Sequence, residues 1–182
     1  ASAVAAKLTL EKYGSTNKIS IVNNPIKEEH EDNQRFLKDV EKWLAHPIEF
    51  ATRSKYPDQS CEEVWEDRRF MSGIAGAPCT LELKKKARQE WENINNPDYT
   101  VLGFTSEEGH RADRFRLTER DTLLTPLIDA NYDKQACFDV LVNAGIELPA
   151  IYKLGYPNAN CIGCVKATSS TYWNLVRETF PD

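Results

Sequence analysis

Residues 32–44 place Phe36, Leu37, Val40, Trp43 and Leu44 on one face of a helix and charges on the other, between the short apolar runs 19–22 and 48–52. This alternation of helix-period and strand-length hydrophobic segments recurs along the chain and restricts the folds open to it. Residues 3–13 carry Val4, Leu8 and Leu10 and stop at Gly14, as a glycine-ended helix does. Residues 60–71 carry Val64, Trp65 and Phe70, with Ser60 and Glu63 spaced as a capping box. Residues 80–91 read as a basic helix, 99–104 as a strand, 123–128 as a shorter strand, 133–143 as a helix closed by Gly145, and 170–180 as the last helix. Strands joined through helices of this length predict an α/β fold, a parallel sheet with helices on both faces.

At 182 residues and 41% hydrophobic content the chain suits one domain over 1–182, with a cysteine-containing segment at 151–182. A net charge of −5 provides no overall positive field for nucleic acid. No run approaches the roughly 20 apolar residues that span a bilayer, which predicts no membrane partner. Five dispersed cysteines do not form a secreted disulfide framework, so reduced thiols and a cytoplasmic location are expected. A homo-oligomer stays open.

Cys161 and Cys164 stand in Tyr156-Pro-Asn-Ala-Asn-Cys-Ile-Gly-Cys-Val-Lys166, and Cys79 in Gly76-Ala-Pro-Cys-Thr80. Two residues between thiols in a Gly- and Asn-containing turn place both sulfurs on one ion or cluster. The same spacing serves a bare redox pair or two buried thiols. Cys79, Cys161 and Cys164 are the expected metal ligands, with an iron–sulfur cluster and zinc both open to soft thiolates. Zinc would need a fourth ligand, and Cys61 or a histidine could supply it without motif spacing to the others. Cys137 lies on an amphipathic helix and reads as core.

In a parallel sheet, ligands collect beyond the carboxyl ends of the strands. Asn23 and Asn24 follow one predicted strand, and residues 105–111 follow another. Glu107 and Arg111 are four apart and could pair on one helix face. Gly103 would let backbone approach a ligand. Lys84, near Cys79 in sequence, could reach a phosphate or sulfate, although the run 84–86 also suits a solvated helix face.

Gly103-Phe-Thr-Ser-Glu-Glu-Gly-His-Arg111 resembles the G-I-R-x-x-E-S-x-x-R segment of the phosphoadenosine phosphosulfate reductase family, within the PP-loop ATP pyrophosphatase superfamily. Pro78-Cys-Thr-Leu-Glu-Leu-Lys84 resembles that family's Cys-to-Lys segment, and residues 152–164 resemble its closing Tyr, Gly and CxxC segment. The matches fall in the family's order from residue 19 to residue 164. Thr105 stands where the motif has arginine, and Pro78-Cys79 where the iron–sulfur branch has paired cysteines.

The resemblance implies an adenine nucleotide alpha hydrolase-like sheet and an enzyme that binds ATP or a related adenine nucleotide with Mg²⁺. Ala1-Ser-Ala-Val is similar to the end of the family's S-G-G-x-x-S phosphate loop. Ser2 is then its final serine, and the first strand is missing from the sheet. Ser2, Asn23, Asn24, Gly103 and Phe104 are implied to hold the nucleotide, and Glu107, Arg111 and Lys84 to act on its charged groups. Three thiolates on a [4Fe-4S] cluster leave one iron open. The acceptor of sulfur or adenylate, a small molecule or a nucleic acid, is not specified. A non-catalytic nucleotide module and a structural metal-site protein are the rival readings.

Overall fold

The computed structural model describes residues 1–181 and is dominated by helices, which hold 51% of the chain. The elements run α1 (Ser2–Tyr13), β1 (Ile21–Asn23), α2 (Asp32–Leu44), β2 (Ile48–Phe50), α3 (Cys61–Arg68), a π-helical segment (Thr80–Lys86) and α4 (Ala87–Asn95). They continue with β3 (Thr100–Val101), a 3-10 turn (Ser106–Glu108), α5 (Gly109–Thr118), β4 (Leu123–Leu124), α6 (Pro126–Asp129), α7 (Lys134–Asn143), α8 (Ala150–Lys153) and α9 (Ser170–Thr179).

The expected parallel sheet covered on both faces is not what forms. Among the described residues the strands are two or three residues long and make two separate pairs, β1 with β2 and β3 with β4. β3 and β4 are parallel, with Thr100 opposite Leu123 and Val101 opposite Leu124. They are joined through the 3-10 turn and α5, so one short βαβ crossover survives from the expected pattern. The physical reason lies in the strand residues. A central strand is buried on both faces, yet Phe50 is 56% exposed and no residue of β1 is fully buried. Pro25 and Pro47 flank these runs and limit their pairing. The predicted strand at 123–128 divides at Thr125, because Pro126 takes the first position of α6.

The chain divides into two compact units. The first comprises Ala1–Ile21, Phe36–Ile48 and Asn96–Leu148. Its larger core packs Val4 and Ala5 of α1 with Leu127, Cys137, Leu141 and Ile146, confirming Cys137 as a packed thiol. A smaller cluster joins Ala112 and Phe115 of α5 to Leu123 of β4. Asp133 caps α7 by accepting the Ala136 N–H at 2.7 Å, and Gly145 at φ +74° closes the turn beyond it. Gly14 ends α1 in a right-handed conformation, its N–H bonded to the Leu10 carbonyl.

The second unit comprises Val22–Arg35, Glu49–Asn95 and Pro149–Asp182. Its core gathers Ile26, Tyr56, Cys61, Val64 and Leu83, with Trp65, Cys79 and Cys161 packed against them. Ser60 caps α3 through the Glu63 N–H. The basic stretch after Cys79 begins as a π-helix: the Ala87 N–H reaches the Glu82 carbonyl five residues back. Glu82 is fully buried there and pairs with Arg53, Arg68 and Lys86.

Candidate metal centre

Three thiols from distant parts of the sequence meet in the second unit. Cys61 is buried in the core cluster against which both Cys79 and Cys161 pack. All five cysteines are free. Cys61 opens α3 directly after the Ser60 cap, Cys79 immediately precedes the π-helical segment, and Cys161 begins the CxxC turn.

Residues 28 and 29 connect the segments that carry these thiols. The Glu28 carboxylate accepts the Cys61 N–H, 2.9 Å from each oxygen, and the Ser60 hydroxyl at 2.7 Å. The Glu28 carbonyl accepts the Ile162 N–H at 2.9 Å, and Glu29 forms an antiparallel bridge with Cys161. Lys84, on the π-helical segment, pairs with the Glu29 carboxylate at 3.6 Å. Two consecutive acidic residues thus position the helix start, the CxxC turn and the basic segment that follows Cys79.

The CxxC turn is fixed from the other side. Gly163 sits at φ +67°, a conformation that costs an L side chain about 1 kcal/mol or more. The Tyr172 hydroxyl of α9 accepts the Cys164 N–H at 2.9 Å and reaches the Cys161 carbonyl at 3.4 Å. Trp173 donates to the Ala167 carbonyl at 2.9 Å. Cys164 is therefore held on a clamped turn three residues beyond Cys161.

The thiols divide the proton between them unequally. Hydrogen bonding to Cys161, then to Cys79, together with burial, pushes the Cys61 thiol up. The contact with Cys61 holds Cys79 down at about 6 against the effect of burial, helped by Trp65, the Thr80 N–H and the charge of Lys166. Cys161 is also lowered, by Cys61 first and, against burial, by the charge of Lys84. Trp65 Nε1 is buried without a regular hydrogen bond and within reach of the Cys79 sulfur. Two positive charges and an indole N–H thus face a group of sulfurs of which two favour the thiolate, the form that ligates metal.

Among the described residues, no three His, Cys, Asp or Glu side chains already stand at metal-holding spacing. Cys61, Cys79 and Cys161 instead pack together in one apolar cluster. The donor chemistry fits a soft ion or cluster: sulfur side chains, flanking cations, and a CxxC turn of the required length. An iron–sulfur cluster or zinc fits this set, and Mg²⁺, which takes oxygen ligands, does not.

The residues expected at a nucleotide site fall in both units. In the first unit, Gly103 packs against Ser2, and a Cβ there would lie 2.8 Å from Ser2 Cα. Arg111 stacks over the Phe104 ring at 5.0 Å. Its ion pair is with Glu108, three residues back, while Glu107 points to solvent. Glu108 also accepts the Thr105 N–H at 3.1 Å, completing a capping box. In the second unit, Asn24 donates to the Ala51 carbonyl at 2.9 Å and the Asn23 carbonyl accepts the Ala51 N–H at 2.9 Å. Both asparagines thus tie β1 to the chain beyond β2, and Lys84 stands with Glu29 and Cys161.

Sequence spacing brought Cys79, Cys161 and Cys164 forward and gave Cys61 only a conditional place. Its one local signal was a cysteine set directly behind a serine N-cap, where the helix dipole lowers the cost of a thiolate. No family model, curated protein or solved structure matches the chain. Among the described residues, no helix is long and apolar enough to cross a membrane.

Proposed function

We propose that this protein is a cytoplasmic enzyme that uses an adenine nucleotide in adenylation or sulfur transfer, with a thiolate-held iron–sulfur centre in its second unit. The observation that carries the reading is the meeting of Cys61, Cys79 and Cys161, which stand 18 and 82 positions apart in sequence, beside a clamped CxxC turn. A bound cluster would supply electron transfer or a Lewis-acidic iron. The protein's own residues would supply thiolates at Cys79 and Cys161, charge compensation at Lys84 and Lys166, and a fixed turn through Tyr172.

The nucleotide half rests on the likeness of residues 103–111 to the phosphoadenosine phosphosulfate reductase motif. Arg111, which pairs with Glu108 and stacks on Phe104, would be the side chain to meet an anionic group in the first unit. ATP with Mg²⁺ is the proposed ligand, and the proposed acceptor of sulfur or adenylate is a small molecule or a nucleic acid.

Anaerobic purification followed by iron, sulfide and zinc analysis tests the metal half. Iron with matching sulfide and a visible charge-transfer band is the expected result, and a colourless chain without metal would refute it. Calorimetry with ATP and Mg²⁺, together with an assay for pyrophosphate release, tests the nucleotide half separately. Packing of the thiols against Ile26, Tyr56, Val64 and Leu83 favours a second reading, a metal that only holds the fold together. Under that reading, metal removal would unfold the second unit, and turnover would be absent from the loaded protein.

A further inference from the structure

We infer that Cys61 is the fourth thiolate of the metal centre, so that Cys61, Cys79, Cys161 and Cys164 form a closed, all-sulfur ligand set. The inference rests on the metal reading above and changes its chemistry. Three cysteines leave one coordination position open for a substrate, whereas four leave none, and the centre then transfers electrons or holds structure.

Placement carries the argument. Cys61 is buried in the cluster against which Cys79 and Cys161 pack, so it joins the two sequence segments that the spacing had already marked. Its backbone is fixed independently of any metal, because both Glu28 oxygens accept its N–H while the Glu28 carbonyl holds Ile162 inside the CxxC turn. One residue therefore positions the start of α3 relative to the turn that carries Cys161 and Cys164. Tight placement of ligand-bearing backbone is what a fixed coordination geometry requires.

Charge supports the same conclusion. Four thiolates around a divalent ion or a cluster leave net negative charge, which is costly in a buried setting without nearby cations. Lys166 lies near Cys79 and Lys84 near Cys161, each from a different stretch of the sequence. The buried Trp65 N–H within reach of Cys79 adds a donor suited to a metal-bound sulfur.

Cobalt(II) titration of the full-length, reduced, metal-free protein tests the assignment, because the intensity of the thiolate-to-cobalt charge-transfer band counts sulfur ligands. The wild-type chain is expected to show a four-thiolate band. Cys61→Ser is expected to lose about a quarter of that intensity and at least about tenfold in affinity. Cys137→Ser, altering a thiol of the other unit, should match wild type. A wild-type band of three-thiolate intensity, or a Cys61→Ser protein indistinguishable from wild type, overturns the fourth-ligand assignment and leaves the metal reading standing. Failure of the wild-type chain to bind cobalt, zinc or iron overturns both. Should Cys61→Ser fail to fold, as judged by circular dichroism, the wild-type intensity alone decides.

Discussion

Both carboxylate oxygens of Glu28 lie 2.9 Å from the backbone nitrogen of Cys61, so the first amide of α3 is satisfied by an acid 33 residues earlier in the chain. The same carboxylate takes the Ser60 hydroxyl, the side chain that caps the helix. An acid at a helix N-terminus also interacts favourably with the helix dipole. Helix start and buried thiol are thus positioned together.

Replacing Glu28 with Gln should therefore cost about 1–2 kcal/mol at neutral pH, since hydrogen bonds to a charged acceptor are stronger than those to a neutral one. Burial pushes this carboxyl up, but the Cys61 N–H and the Ser60 hydroxyl outweigh it and hold the group below its usual value. Because the folded value is depressed, the contribution is complete above the unfolded carboxylate value and disappears as pH falls through the lower folded value. Urea unfolding of wild type and Glu28→Gln at pH 7 and under acid conditions should show a gap that closes on acidification. A pH-independent gap would show that the charge plays no part.

Glu82 should be the most damaging acid to remove. Its carboxylate is completely shielded from solvent by Arg53, Arg68 and Lys86, which outweigh burial and hold it at about 2. Truncation leaves Arg53, Arg68 and Lys86 facing one another, with Glu90 beside Arg53 and Asp67 beside Arg68 as partial compensation. Breaking a buried pair costs about 3–5 kcal/mol. The partly exposed Arg68 and Lys86 place this case at the lower end. Glu82→Ala should lower the denaturant midpoint at pH 7. The stability of the wild type that depends on this group should be present above the normal carboxylate range and decline only as pH falls towards about 2.

How far the sequence revealed this architecture depended on whether the deciding force was local. The 32–44 helix matches α2 at both ends, because an amphipathic stripe is set by near neighbours. The Ser60 cap follows from the same local chemistry. A strand forms at each expected run, only two or three residues long, but the covered sheet does not form, because apolar runs of four to six residues do not by themselves specify two-sided burial, and Phe50 faces solvent instead. Cys79 and Cys161 were legible from motif spacing. Cys61 carried no spacing signal, since its place depends on Glu28 and Ile162, contacts made only in three dimensions. Arg111 pairs with Glu108 rather than Glu107 because the backbone enters a 3-10 turn before α5, which shifts the facing position.

Gly103 offers a test confined to the first unit. A methyl group there would meet Ser2 backbone atoms at 2.8 and 3.0 Å, and backbone cannot rotate away as a side-chain end can. Overpacking of this kind costs about 1–3 kcal/mol. Gly103→Ala should lower the thermal midpoint of the protein, whereas Gly109→Ala, where an added Cβ meets nothing within 4 Å, should leave it near wild type. Equal midpoints for Gly103→Ala and wild type would show that the close approach to Ser2 is not maintained in solution.

The metal-free protein should contain an unusually reactive thiol at Cys79, and its reactivity should depend on Cys61. Cys79 is held at about 6, chiefly by the contact from Cys61, so at neutral pH it is mainly thiolate while an ordinary cysteine is mainly thiol. Its alkylation by iodoacetamide, followed site by site by mass spectrometry, should therefore rise through a midpoint near 6 and level off by about pH 7. Cys61→Ala removes the donor, so the thiolate loses its principal stabilisation and the midpoint should move up towards the ordinary range of about 8.5. At pH 6.5 the Cys79 rate should then fall several-fold, and Cys137, buried in the other unit, should stay slow in both proteins. An unshifted Cys79 midpoint in Cys61→Ala would mean that Lys166 and the Thr80 N–H hold the thiolate without Cys61, and that the contact between the two sulfurs is incidental.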